Sequence, residues 1–388
     1  MLTGNKIISY SKQNINKSDE KIVLESLNSN LITTGNFVST FEKKLKKYFK
    51  SKFALSCSSG TAALHISFKS INLKEGDIVI MPAINFISAF NLCKTIGARV
   101  YLADVDSNTG QMRPQDVFKC IKKNKIKKIK LILTMYLGGY PENVVEFNKI
   151  KKLYKCFLIE DACHAFGAKY KFKNKYYKIG SCQHADIATF SLHPLKTITS
   201  GEGGAITTNS EKIHKKMLLY RSHGMKRKKK KHWEYDITEN GFNYRISDIN
   251  CALAISQLER IEYFLNSRKK IYEYYLKYLY NDNNFLKIKY NKNNLSAYHL
   301  FLLKLKDNFA KKKIKNSLIK YMLNKGIKCQ YHYIPIYKFK IYKDKINLLD
   351  FKGAEKFYSS TFSIPIFVDL TKINQKSIIK NLNNYFKK

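Results

Sequence analysis

The stretch ATFSLHPLKTITSGEGG at residues 188–204 is the most informative part of the chain about its fold. An apolar run reads as a strand that ends at the hydroxyl of Ser191, Lys196 follows five residues later, and a glycine-rich turn at 201–204 precedes another apolar run. In open α/β sheets, ligands collect beyond the carboxyl ends of the strands. A lysine placed there, near a cationic cofactor and away from bulk water, has a lowered pKa and can form an imine.

The region around this stretch alternates short apolar runs with amphipathic segments from residue 51 to residue 208. Such alternation is typical of an α/β domain with a mostly parallel central sheet. The predicted helices include 62–71 and 144–153, where apolar residues recur at helical spacing. The predicted strands are 53–56, 77–81, 99–103, 129–134, 157–159, 187–191 and 205–208.

The pattern changes in the last third of the chain. A long helical region is predicted at 247–278, followed by strands at 297–305 and 327–333 that flank a helix ending near Gly326. A last helix begins near Lys372. We therefore predict a large α/β domain at 1–255 and a smaller C-terminal α+β domain at 256–388.

Ser59-Gly60-Thr61 follows a predicted strand and opens a predicted helix. The backbone N–H groups and the Thr61 hydroxyl could bind a phosphate at the positive end of that helix. A serine cap beside a tight-turn glycine would produce the same triplet, so this motif alone leaves both interpretations open.

The strand 157–159 leads directly to Glu160, Asp161 and, three residues further, His164. A buried carboxylate at a strand end can keep a pyridinium nitrogen protonated, which makes pyridoxal phosphate an electron sink. His164 could reach the same ring. Taken alone, a histidine in this position is more often structural.

The formal net charge of +42 would ordinarily indicate a polyanionic partner. Of the 71 basic residues, however, seven are arginine and 64 are lysine, whereas surfaces that read nucleic acid are usually rich in arginine. We therefore expect no nucleic-acid partner, and interpret the basic run at 226–231 as a solvated loop.

Eight cysteines without a CxxC pair suggest neither a metal site nor a disulfide framework, and no apolar run is long enough for a membrane helix. We expect a cytoplasmic protein.

The three segments described above resemble the DegT/DnrJ-type sugar aminotransferases, which have the type I fold of pyridoxal-phosphate enzymes. The resemblance extends over nearly the whole chain in matching order and spacing. Its motifs are Leu31-Ile-Thr-Thr-Gly35, Phe41-Glu42, Ser59-Gly-Thr-Ala-Ala-Leu64, Ile159-Glu-Asp161, His164-Ala-Phe-Gly167, Phe190-Ser-Leu-His193 with Lys196, Gly201-Glu-Gly-Gly204, Tyr220-Arg-Ser-His-Gly-Met225, Asn243-Tyr-Arg245 and Tyr331-His-Tyr333.

The resemblance implies pyridoxal 5′-phosphate as the cofactor and assigns roles to individual residues. Lys196 would bind the cofactor as a Schiff base, Asp161 would pair with the pyridine nitrogen, and His164 would sit by the phenolic oxygen. Phe86 would stack on the cofactor ring, and Gly60, Thr61 and Ser191 would form a cradle for its phosphate. Asn243 would reach the same phosphate from a neighbouring subunit.

The resemblance also implies the substrates. Arg221-Ser-His-Gly-Met225 and His332-Tyr-Ile-Pro-Ile-Tyr337 are most similar to family members of pseudaminic-acid biosynthesis. Those members move an amino group from glutamate to C4 of a UDP-linked 4-keto-6-deoxy-N-acetyl hexosamine. The expected partners are thus glutamate and a nucleotide-linked keto-sugar, in a homodimer with shared active sites. The substrate-contacting positions would be Tyr10, Thr33, His332 and Tyr333.

Other functions remain open from the sequence. The sugar could carry dTDP or GDP, or be aminated at C3. Related proteins that dehydrate the sugar at C3 normally have histidine in place of the lysine, so Lys196 argues against that chemistry. A regulatory or scaffold protein with this fold is a further alternative, but such regulators usually carry an added DNA-binding domain.

Overall fold

The computed structural model describes residues 7–228, 231–280, 284–342 and 346–387. Its helices are α1 Lys17–Leu27, α2 Asn36–Phe49, α3 Gly60–Ser70, α4 Ser88–Ile96, α5 Pro114–Lys123, α6 Val144–Tyr154, α7 Glu211–Arg221, α8 Asp248–Glu259, α9 Ile261–Tyr278, α10 Asp307–Lys311, α11 Lys315–Asn324, α12 Lys352–Ser360 and α13 Lys372–Tyr385. Its strands are β1 Phe53–Cys57, β2 Ile78–Pro82, β3 Arg99–Ala103, β4 Leu131–Met135, β5 Phe157–Asp161, β6 Lys169–Phe172, β7 Lys175–Lys178, β8 Ile187–Ser191, β9 Gly204–Thr208, β10 Met225–Lys228, β11 Lys231–Ile237, β12 Phe285–Leu286, β13 Phe301–Leu305 and β14 Thr361–Ile364.

Seven strands form the central sheet in the order β1-β9-β8-β5-β4-β2-β3. β9 runs antiparallel to both of its neighbours, and the other pairs are parallel. All seven strands predicted between residues 51 and 208 are present, each within two residues of the predicted bounds at the amino end and at the carboxyl end. The α/β class with a mostly parallel sheet is confirmed.

Both faces of this sheet are buried. Ala54 and Leu55 are neighbours in β1, yet they belong to two different apolar clusters, because successive side chains of a strand point to opposite faces. β4 is buried along its entire length. Strands covered on both faces read as continuous apolar runs, which is why the sequence pattern located them well.

The carboxyl ends of β5 and β8 lie side by side in the sheet, and Asp161 is paired with Thr189 in the parallel register. α3 begins directly after β1, with Ser59 as its N-cap. This arrangement brings the turn after β1, the end of β5 and the loop after β8 to the same edge of the sheet.

The last third of the chain contains a three-stranded antiparallel sheet, β12-β13-β14, which shares an apolar cluster with α9, α11 and α13. The predicted helices ending near Gly326 and beginning at Lys372 are present. The predicted strand at 297–305 begins only at Phe301. The predicted strand at 327–333 is wrong: this segment makes only isolated bridges, from Ile327 to Ile8 and from Gln330 to Ser363.

The predicted helical region 247–278 is two helices, α8 and α9, that meet at Arg260. α8 spans residue 255, where we placed the domain boundary, so the division of the chain stays a prediction. The basic run is not a loop where the structure describes it: Lys226–Lys228 lies in β10, which pairs with β11, whereas residues 229 and 230 lie outside the described part. Within the described residues, no helix is long and apolar enough to cross a membrane.

Candidate active site

A cavity of about 500 Å³ opens at the edge of the sheet where β5 and β8 end. Its walls contain ten of the twelve residues predicted to act at the site: Tyr10, Gly60, Thr61, Phe86, Asp161, His164, Ser191, Lys196, His332 and Tyr333. These residues come from distant parts of the chain. A second, larger cleft of about 1330 Å³ lies along the edge strand β3 and contains none of the predicted site residues.

Lys196 lies in the loop after β8 and is half-buried. The loop is fixed by its own backbone: Lys196 N–H donates to His193 O at 2.8 Å, and Ser200 N–H donates to Leu192 O at 3.0 Å. Burial lowers the pKa of the Lys196 amine, and the nearby thiol of Cys163 and carboxyl of Asp161 oppose that shift. A lowered pKa increases the share of neutral amine, the form that attacks a carbonyl.

Asp161 is the last residue of β5 and is 3% exposed. Its Oδ1 accepts a hydrogen bond from the backbone N–H of Cys163 at 3.2 Å. Burial raises the pKa of the Asp161 carboxyl, while the Cys163 contacts and the Lys196 charge oppose the shift. A buried carboxyl group facing a cavity is suited to pair with a protonated ring nitrogen, since the pairing offsets the cost of burying its charge.

His164 is 1% exposed and makes a hydrogen bond at each ring nitrogen. The backbone N–H of Gly138 donates to Nδ1 at 3.4 Å, and Nε2 lies 2.9 Å from the hydroxyl of Tyr333. Burial, the Lys196 charge and two neighbouring histidines hold the pKa of His164 well below its usual range. The backbone N–H of Gly138 can only donate, so Nδ1 is the acceptor, and we assign the single proton of the neutral ring to Nε2. Nε2 then donates to the Tyr333 oxygen, and the hydroxyl proton of Tyr333 is available to the cavity. The predicted contact of His164 with the phenolic oxygen of the cofactor is not tested by this structure and stays a prediction.

The turn between β1 and α3 forms a tight cradle. Ser59 Oγ caps the helix by accepting from Ala62 N–H at 3.0 Å, whereas the first N–H groups of a helix, here those of Gly60 and Thr61, have no partner inside it. A Cβ at Gly60 would lie 2.8 Å from the Cβ of Ser191. Only glycine therefore lets the two segments come together around an anion.

The close approach at this turn predicts the effect of one substitution. In Gly60→Ala we expect the affinity for pyridoxal phosphate to fall about 10- to 100-fold, because separating Ser191 from the helix end weakens charge-assisted hydrogen bonds to the phosphate. Titrating the apoenzyme with cofactor measures the change, and a melting curve checks that the fold is intact. Unchanged affinity would show that this turn does not bind the phosphate.

Two predicted residues, Thr33 and Asn243, do not line the cavity. Thr33 forms a bridge with Ser247, and Asn243 forms one with Ser222. Both are exposed in the single chain. The structure therefore leaves them without a role at this chain's own cavity.

The sequence reasoning missed two buried residues of the cavity. Asn85 directly precedes Phe86 in the sequence but was assigned no role; it is 1% exposed, and its Nδ2 has no hydrogen-bond partner among the described residues. His299 is 4% exposed and precedes β13. No motif marks His299, and only its position against His164, with ring centroids 4.2 Å apart, identifies it.

The fold and the site together define a type I pyridoxal-phosphate aminotransferase. A model of the DegT/DnrJ/EryC1/StrS aminotransferase family matches residues 13–383, and the chain belongs to this family.

Several curated relatives match this chain over nearly their full lengths. The chain is 34% identical, over 382 residues and 98% of each chain, to UDP-4-amino-4,6-dideoxy-N-acetyl-beta-L-altrosamine transaminase of Campylobacter jejuni. It is 30% identical, over 98% of this chain and 99% of the other, to GDP-perosamine synthase of Escherichia coli O157:H7.

Among solved structures, Helicobacter pylori PseC, an aminotransferase involved in the biosynthesis of pseudoaminic acid, has a TM-score of 0.87 and 28% sequence identity. The match covers 98% of this chain and 100% of the other. The cofactor of this chain is pyridoxal 5′-phosphate. The residues present fit it: a buried carboxyl group, a lysine amine and a glycine cradle that a Cβ would fill surround one cavity.

Proposed function

We propose that this enzyme transfers an amino group from glutamate to the C4 keto group of a UDP-linked 4-keto-6-deoxy-N-acetyl hexosamine, in pseudaminic-acid-type sugar biosynthesis. The names of the Campylobacter jejuni relative and of the Helicobacter pylori structure support this substrate. The observation that carries the chemistry is the presence of Lys196 and Asp161 in the walls of one cavity, beside the cradle at Gly60.

Each residue has a separate task in this proposal. Pyridoxal phosphate, when bound, supplies an electron sink that stabilises negative charge on the carbon bearing the amino group. Asp161 keeps the pyridine nitrogen protonated, and the turn at Gly60, Thr61 and Ser191 holds the phosphate. Lys196 binds the cofactor and, once released, moves the proton of the reacting carbon. The remaining proposed contacts are those of Phe86 and His164 with the cofactor and those of Tyr10, His332 and Tyr333 with the substrates.

Substrate identity is tested by incubating the pure enzyme with glutamate and keto-sugars linked to UDP, dTDP or GDP, with NMR of the products. We expect amination at C4 of the UDP-linked sugar to have the highest kcat/KM. Preference for a GDP-linked sugar would contradict the proposed substrate and favour the chemistry named for the Escherichia coli relative.

We also propose a homodimer with shared active sites. Thr33 and Asn243, exposed and outside their own chain's cavity, are then supplied to the site of the other subunit. The apolar neighbours of these two residues are exposed as well: Leu31 by 59%, Ile32 by 49% and Phe242 by 51%. Apolar residues of a subunit interface are exposed in this way when one chain is taken alone.

A cytoplasmic location is proposed as well, since all eight cysteines are free thiols.

Shared sites predict complementation between two inactive variants. Lys196→Ala and Asn243→Ala should each have little activity alone. Mixed by unfolding and refolding together, they should regain about a quarter of the wild-type activity, since half of the dimers are mixed and each of these has one intact site. Activity measured before and after mixing tests this. If activity stays at the sum of the two variants, Asn243 does not act across an interface.

A further inference from the structure

His299 is a buried histidine of the cavity for which the proposed function gives no role. Its side chain lies against the ring of His164. Its backbone is fixed from two directions: the His299 N–H donates to Gly138 O at 3.0 Å, and its carbonyl accepts from Arg268. The ring therefore has a fixed place in the inner wall of the cavity.

The ring nitrogens of His299 differ in their surroundings. Nδ1 is buried and has no hydrogen-bond partner among the described residues. Nε2 is not among the buried atoms that lack a partner, and the residue lines the cavity. Burial, the Lys196 charge and the Arg268 charge hold the pKa of His299 well below its usual range, so the ring is neutral and has one N–H. A buried N–H without an acceptor would be costly, and we therefore assign the proton to Nε2. His299 thus offers one donor to the cavity.

Arg268 lies behind His299, on α9, and is 1% exposed. One guanidinium nitrogen, Nη1, donates to His299 O at 3.3 Å and to Ile366 O at 3.0 Å. Burial lowers the pKa of Arg268 to about 10, so the side chain is still charged at neutral pH. Within the described part of the chain it forms no ion pair. An unneutralised positive charge in the interior favours an anion in the neighbouring cavity.

We propose that His299, with Arg268 behind it, binds the α-carboxylate of the amino donor. This proposal rests on the proposed function. The donor's carboxylate is attached to the carbon whose proton Lys196 moves, and it must therefore lie at the inner end of the cavity near that amine. The keto-sugar has its negative charge on the diphosphate, away from the reacting carbon. A positive field at the reacting end of the cavity consequently serves the donor and not the sugar.

The two half-reactions can be followed separately by the absorbance of the bound cofactor. In His299→Leu we expect the glutamate concentration needed for half-maximal rate to rise about 10- to 100-fold, since a hydrogen bond to a charged group is lost. In the other half-reaction, the keto-sugar concentration needed for half-maximal rate should change less than about threefold. His299→Gln retains an N–H near the position of Nε2 and should recover part of the loss.

A binding measurement makes the test independent of turnover. Glutarate is a dicarboxylate that has no amino group to transfer, and calorimetry with the wild-type holoenzyme and with His299→Leu should show weaker binding to the variant. His184 provides a matched control: it is 9% exposed, its Nδ1 lies 2.7 Å from the Tyr170 hydroxyl, and it lies outside the cavity. His184→Leu should leave glutarate binding unchanged.

The outcomes separate this proposal from the proposed function. A wild-type holoenzyme that does not react with glutamate refutes the proposed function. If wild-type enzyme reacts, equal slowing of both half-reactions in His299→Leu, or selective slowing of the keto-sugar half, refutes only the assignment of His299. Should the leucine variant fail to fold, His299→Asn, whose amide does not reach the position of Nε2, makes the same comparison.

Discussion

Replacing Lys196 by alanine is expected to reduce turnover about 10⁴-fold, the upper end of the contribution of a positioned acid–base group. In the proposed mechanism, the variant loses both the covalent link to the cofactor and the amine that moves the proton of the reacting carbon. Steady-state rates at saturating cofactor, glutamate and keto-sugar measure the effect. Binding of cofactor to the variant, checked by dialysis and absorbance, separates loss of chemistry from loss of the cofactor.

The matched control is another lysine with a lowered pKa. Burial lowers the pKa of Lys178 to about 8, and its Nζ donates to Tyr48 O at 2.8 Å, outside the cavity. Lys178→Ala should keep turnover within about threefold of wild type, as expected of a change away from the reacting atoms. If the two variants lose activity equally, or if Lys196→Ala retains normal turnover, the assignment of Lys196 is wrong.

Replacing Asp161 by asparagine is expected to reduce turnover about 100- to 1000-fold, the scale of one lost electrostatic contact in the transition state. The amide has nearly the same shape but no charge, and it cannot keep a ring nitrogen protonated. The rate of the glutamate half-reaction is the direct measurement. An absorbance spectrum of the bound cofactor should shift as well, because the protonation state of the ring changes.

The neighbouring acid Glu160 supplies the control for this change. Glu160 is 2% exposed, burial raises the pKa of its carboxyl group to about 7, and its Oε1 accepts from the Tyr136 hydroxyl at 2.7 Å. Glu160→Gln retains an acceptor for Tyr136, and we expect it to keep most of the activity. A larger loss in Glu160→Gln than in Asp161→Asn would mean that the roles of the two carboxyl groups are reversed.

The sequence predicted the central sheet well because its strands are covered on both faces and read as uninterrupted apolar runs. It also placed Asp161 and Lys196 at strand ends, where the rule for α/β sheets expects ligands. The small domain was harder. The segment 327–333 has the composition of a strand, but its backbone bonds to Ile8 and Ser363, two distant residues whose positions depend on tertiary packing.

The cavity shows a similar limit. A motif marks a residue by its neighbours in sequence, and His299 has no such neighbours. Its place beside His164 arises because Gly138 and Arg268 hold its backbone, and those contacts span 161 and 31 residues of chain. Motifs and hydrophobic periodicity describe residues close together in the chain, so they do not predict contacts over such sequence separations. Thr33 and Asn243 illustrate the converse: the resemblance assigns them to the site, but they do not line the cavity of their own chain.

Of the 64 lysines in the chain, we propose that Lys196 is the one that binds the cofactor. Borohydride makes a link between lysine and pyridoxal phosphate permanent, and peptide mapping by mass spectrometry then locates it. We predict a single modified peptide, bearing the label on Lys196. Label on any other lysine, with Lys196 unmodified, would contradict the assignment of Lys196.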